Sequence, residues 1–125
     1  MSEKLSWNLS ASATGGPQLS HAGNSAVDGY DKLQVTVTKA QGATLSVVPG
    51  KWSGVSLLMV KPSILDPKLT YKTGTITAAL DGTLLLVGSG AVSLLGDGDA
   101  QLAFSYGGDA DGDIVIHVLV GRNAT

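Results

Sequence analysis

Apolar residues recur at every second position along most of this chain, and that period confines it to β structure. Leu5, Trp7, Leu9, Ala11 and Ala13 alternate with serine and asparagine, and Leu33, Val35 and Val37 alternate with Gln34, Thr36 and Thr38. Successive side chains of a strand point to opposite faces, so such a segment buries one face and wets the other. No segment of comparable length shows helical periodicity. Turn residues punctuate the alternation: Asp-Gly begins at 28, 81, 97 and 111, and three of the four lie between strand-like runs. That spacing suits a sandwich or barrel. The expected fold is an all-β antiparallel sandwich or flattened barrel, jelly-roll-like, with eight or nine strands in two packed sheets. At 125 residues and 12.6 kDa it forms one domain, residues 1–125.

The pattern also assigns segments. Strand one covers Leu5 to Ala13, and Gly15 to Asp31 reads as a long loop. Leu33 to Val37 and Leu45 to Val47 read as a hairpin, Pro49-Gly50 as a turn, and Val55 to Val60 as a strand buried on both faces. Pro62 and Pro67 bracket a loop from Lys61 to Lys68, because proline donates nothing to a ladder. Leu69 to Leu80 alternates across a bend at Gly74. Asp81-Gly82 is the strongest two-residue hairpin signal. Thr83 to Leu95, Gln101 to Tyr106 and Ile114 to Val120 then follow as a meander. If Thr83 to Leu95 is one bulged strand, Asp81 shares an acidic pole with Asp109, Asp111 and Asp113. If Gly88 to Gly90 is a reversal, Asp81 joins Asp97 and Asp99.

Charge excludes several partners. Charged residues make up 14% of the chain, against about a quarter in an average domain. Residues 1–80 hold seven lysines against four carboxylates, and residues 81–125 hold Arg122 alone against six aspartates. No basic run or stripe exists to neutralise phosphates, so no nucleic-acid partner is expected. The longest apolar stretch, Leu84 to Leu95, is interrupted by Gly88, Ser89 and Gly90 and is too short for a membrane helix. The opening residues lack the apolar core of a secretory signal, so the chain reads as cytoplasmic or virion-associated. With no cysteine, disulfides, thiolate metal sites and cysteine nucleophiles are excluded.

Four constellations invite chemistry. Gly88-Ser89-Gly90 imitates a dinucleotide loop, but Ser93 stands where the third glycine belongs, and Gly96 and Gly98 interrupt the helix that should follow. Asp109, Asp111 and Asp113 alternate like the opening of a calcium loop. Counted from Asp109, Ile114 and Val120 occupy the glycine and glutamate positions of an EF-hand, which leaves only a calcium site of another kind. His21 in the long loop and His117 on a strand face are the only histidines, and no nucleophile elbow accompanies them, so no enzyme is expected. Trp7 falls on an apolar strand face and reads as core. Trp52, after Pro49-Gly50-Lys51, reads as an exposed aromatic suited to a sugar ring or a protein neighbour.

The remaining expectation is a non-enzymatic structural protein that forms homo-oligomers without a cofactor. Low charge and uncovered sheet edges both favour association. The composition resembles that of small virion and phage capsid, tail or shell proteins, a likeness carried by no motif. The alternative from another class is a lectin-like module that holds carbohydrate through Trp52, assisted by calcium at Asp109 to Asp113.

Overall fold

The computed structural model describes residues 3–39, 41–109 and 112–122. Ten strands follow in chain order: β1 (Glu3–Ser12), β2 (Gln18–Val27), β3 (Gly29–Val37), β4 (Ala43–Lys51), β5 (Val55–Pro62), β6 (Leu69–Thr73), β7 (Ile76–Ala79), β8 (Leu84–Val87), β9 (Asp99–Tyr106) and β10 (Ile114–Arg122). β1 and β2 form a hairpin of their own. The other eight form two four-stranded sheets, β3-β10-β5-β8 and β4-β9-β6-β7, with every pair antiparallel. Among β3 to β10, only β6 to β7 stays within a sheet, and every other link passes from one sheet to the other. This is the strand order of a jelly roll.

The alternation explains the packing. β9 buries Ala100, Leu102, Phe104 and Tyr106, while β10 buries Ile114, Ile116, Val118 and Val120. Val37, Leu58 and Val60 complete the inner face of the first sheet, and Leu69 and Tyr71 that of the second. Two inner faces of this kind interdigitate across about 10 Å. The one hairpin inside the sandwich turns through Gly74 and Thr75, with Thr73 opposite Ile76. Gly74 has φ +59°, the positive φ that a type II′ turn requires at its first central position.

Several segments depart from the sequence reading. The expected loop Gly15 to Asp31 contains β2, whose Gly, Asn and Ser content hides it from a β-propensity reading. β3 and β4 lie in different sheets and are not a hairpin. Pro49-Gly50 is an irregularity within β4, whose ladder with β9 shifts between Ser46 and Lys51 while Gly50 takes φ +120°. β4 is an edge strand, where a missing N–H does no harm. Asp81-Gly82 links β7 to β8 across the sheets, so it closes no hairpin. Gly82 is not among the glycines of positive φ, and Leu80 still donates its N–H to the Leu69 carbonyl (2.7 Å).

Thr83 to Leu95 is neither a bulged strand nor a reversal. β8 ends at Val87, Gly88 turns the chain at φ +94°, and one helical turn (Ser89–Val92) leads into a 3-10 turn (Ser93–Leu95). The meander is replaced by crossovers. The resulting parity nevertheless places the connections bearing Asp66, Asp81, Asp109 and Asp113 at one end of the sandwich, with Asp97 at the other. Among the described residues, no helix is long and apolar enough to cross a membrane.

Candidate assembly interface

The β1–β2 hairpin has two unlike faces. Its register sets Leu5 opposite Ser25, Trp7 opposite Gly23, Leu9 opposite His21 and Ala11 opposite Leu19. Those pairs share one face, whose β1 members are all apolar. Ser6 with Asn24, Asn8 with Ala22, Ser10 with Ser20 and Ser12 with Gln18 occupy the other, whose β1 members are all polar. Residues 5–27 contain no Asp, Glu, Lys or Arg, the longest uncharged run in a chain otherwise dotted with them. The tip closes through the N–H groups of Ala13 and Gly16, which donate to the carbonyls of Pro17 (3.0 Å) and Ala13 (2.9 Å).

Only the base of this hairpin is seated. Val27 and Leu57 are fully buried yet stand apart from the core between the sheets, because Leu57 lies on the outer face of β5. Gly121 on β10 makes the seat. A side chain there would begin 2.8 Å from Leu5 Cδ1 and 2.9 Å from Val27 Cγ1. Gly23 plays the same part inside the hairpin, since a Cβ there would lie 2.9 Å from Trp7 Cζ2. Trp7 is half-buried and packs in a tilted ring contact against His21, with centroids 4.8 Å apart and planes at 52°. Trp7 therefore belongs to the hairpin and not to the sandwich core, contrary to the sequence reading.

Beyond Trp7 the hairpin is exposed on both faces. Leu9 is 43% and Leu19 79% accessible. A two-stranded hairpin is marginal in water unless its apolar face packs on something, and among the described residues Leu9 and Leu19 remain exposed. Where it leaves the body, its apolar face and the outer face of the first sheet enclose a cleft of about 360 Å³. Leu5, Trp7 and Leu9 form one wall, and Met59, Leu85 and Leu119 form the floor. No charged residue lines it.

The other sequence candidates fall elsewhere. Trp52 is not an exposed aromatic. It is 1% accessible, packed at the end of the core opposite the acidic pole, and its indole N–H donates to Thr73 Oγ1 at 2.9 Å. The 3-10 turn that begins at Trp52 swings the ring inward beneath the segment from Gly88 to Gly98, whose Gly98 carbonyl accepts the Trp52 backbone N–H. Asp109 and Asp113 are exposed, while Asp111 lies outside the described residues. Among the described residues no group of three His, Cys, Asp or Glu is placed to hold a metal.

His117 is exposed on the outer face of β10, opposite Lys61 on β5 and Gln34 on β3, as its strand position implied. His21 sits in β2, not in a loop beside Asp28 and Asp31. At the acidic pole, Asp66 accepts the Tyr106 hydroxyl (2.7 Å) and the Lys68 backbone N–H (3.0 Å). The Lys68 N–H foremost, and then the Tyr106 hydroxyl, hold its carboxyl below the usual carboxylate range.

The sequence reading missed β2, and with it Leu19 as a partner of Ala11. The signal was present as the uncharged run around Gly15-Gly16, with Ala11 and Leu19 at matching distances on either side. Comparison with family models, curated proteins and solved structures finds no match to this chain.

Proposed function

We propose that this protein is a non-catalytic structural unit that builds a homo-oligomer, of the kind used in a capsid, tail or shell, and that the β1–β2 arm joins the subunits. The observation that carries the reading is the arm's uncovered apolar face, with Leu9 and Leu19 in water on a hairpin bearing no Asp, Glu, Lys or Arg between residues 5 and 27. Exposed apolar strips of this kind mark protein contacts. The jelly roll supplies a rigid body, and the arm supplies reach. The lectin-like alternative has less support, because its anchor Trp52 faces the core.

The test is absolute mass by light scattering after size exclusion, at two protein concentrations, in calcium and in chelator. A stable oligomer indifferent to calcium is expected, and Leu9→Ser with Leu19→Ser reduces it to single chains. A single-chain mass for the unaltered protein at both concentrations refutes the reading. A calcium-dependent mass would turn attention to the aspartate turn and a glycan screen.

A further inference from the structure

The arm leaves open which surface of a neighbour receives it, and the cleft at its own base answers that question. We infer that the occupant of this cleft is a second copy of the chain, whose Leu19 seats on the floor formed by Met59, Leu85 and Leu119 in a reciprocal two-fold exchange. This deepens the assembly reading and rests on it.

Three observations carry the inference. The first is geometry. A strand advances about 3.3 Å per residue, so Ala11 and its partner Leu19 lie about 20 Å from Leu5 along the arm. Two arms laid antiparallel, apolar face to apolar face, bring each tip against the base of the other. That base is where the cleft opens. The arrangement is isologous and closes on itself, the commonest symmetry of soluble oligomers.

The second is charge. Arm residues 5–27 carry no Asp, Glu, Lys or Arg, and the cleft has no charged lining residue, so their union strands no charge away from water. Elsewhere the outer face of the same sheet does carry charge, at Lys32 and Lys61 flanking His117. The apolar arm is thus matched to one part of that face.

The third is size. A stable interface takes about 20–30 residues from each partner. Residues 5–23 of the arm together with the sheet residues at the cleft fall within that range. The cleft also suits an aliphatic side chain. Its lining is mostly apolar, and Leu19 is the most exposed large apolar side chain among the described residues.

Because the chain has no cysteine, single cysteines report contacts without background. Full-length Leu19→Cys and Leu85→Cys are mixed and oxidised gently, and the mass of the unoxidised mixture is measured in parallel. The expected result is a 19–85 disulfide between two chains and a two-chain mass. Met59→Cys faces Leu85 across the β5–β8 ladder and repeats the test should Leu85→Cys fold poorly. Leu19→Asp should raise the dissociation constant at least about 30-fold, as loss of an interface hot spot does. An oligomer that yields only 19–19 disulfides overturns the cleft inference and leaves the assembly reading standing. A single-chain mass overturns both.

Discussion

Thr73 is the one polar side chain among the buried residues of the described core, and its hydroxyl accepts the indole N–H of Trp52 at 2.9 Å. Thr73→Val removes the acceptor and leaves the ring in place with an orphaned donor. A buried donor without a partner costs about 1–3 kcal/mol, so about 2 kcal/mol is expected here, where both residues are nearly inaccessible. Unfolding entropy for 125 residues is about 0.26 kcal/mol per degree, which turns that cost into a fall in Tm of about 8 °C. Calorimetry or urea unfolding followed by circular dichroism reads it directly. The control is Trp52→Phe, which has no N–H to orphan. In that background Thr73→Val should cost less than about 0.5 kcal/mol, so a double-mutant cycle isolates the bond. A shift under about 2 °C in the parent, or the same shift in both backgrounds, would refute the claim that this hydrogen bond holds Trp52 in the core.

Other outcomes follow from the same geometry. Gly121→Ala should unseat the arm by pressing on Leu5 and Val27, so chymotrypsin should cut near Trp7 and Leu9 faster while the body loses only about 1–3 kcal/mol; unchanged cleavage would contradict the seat described above. Gly74→Ala should cost about 1–2 kcal/mol purely through backbone strain at φ +59°, since no atom lies within 4 Å of the added carbon. Gly82→Ala, in equally open space and without a positive φ, should be neutral or slightly stabilising in the same melt. Asp66 has a folded-state carboxyl held below its unfolded value, so its contribution is present above about pH 4 and is lost as pH falls through the lower, folded value. The Tm difference between the parent and Asp66→Asn should therefore shrink as pH drops below about 4. A difference independent of pH would show that the two hydrogen bonds to Asp66 do not depend on its charge.

The period-two pattern made the fold class legible, because Leu33 to Val37, Gln101 to Tyr106 and Ile114 to Val120 each bury one face in the way their alternation requires. Connectivity was not legible. Asp81-Gly82 and the turn after Tyr106 carry ordinary hairpin chemistry, yet each joins strands of different sheets, and local turn residues hold no record of which strand comes to lie beside them. The arm was half legible. β1 declared itself through Leu5, Trp7 and Leu9, whereas β2 is strand only because β1 supplies its ladder. Trp52 misled for a related reason: its sequence neighbours Pro49, Gly50 and Lys51 are exposed, and the 3-10 turn that reverses the ring into the core leaves no mark in a four-residue window.

The seat of the arm has a consequence for the order of events during synthesis. The hairpin forms from residues close in sequence, but its anchoring glycine lies on β10, the last of the described strands. Links that alternate between sheets are slow to pair, since each must close a long loop before any contact rewards it. A nascent chain therefore carries its apolar arm undocked until β10 has left the ribosome and joined β3 and β5. The cleft needs the same event, because Leu119 is part of its floor. A chain that stops before β10 therefore carries the arm without its seat and without a complete cleft floor.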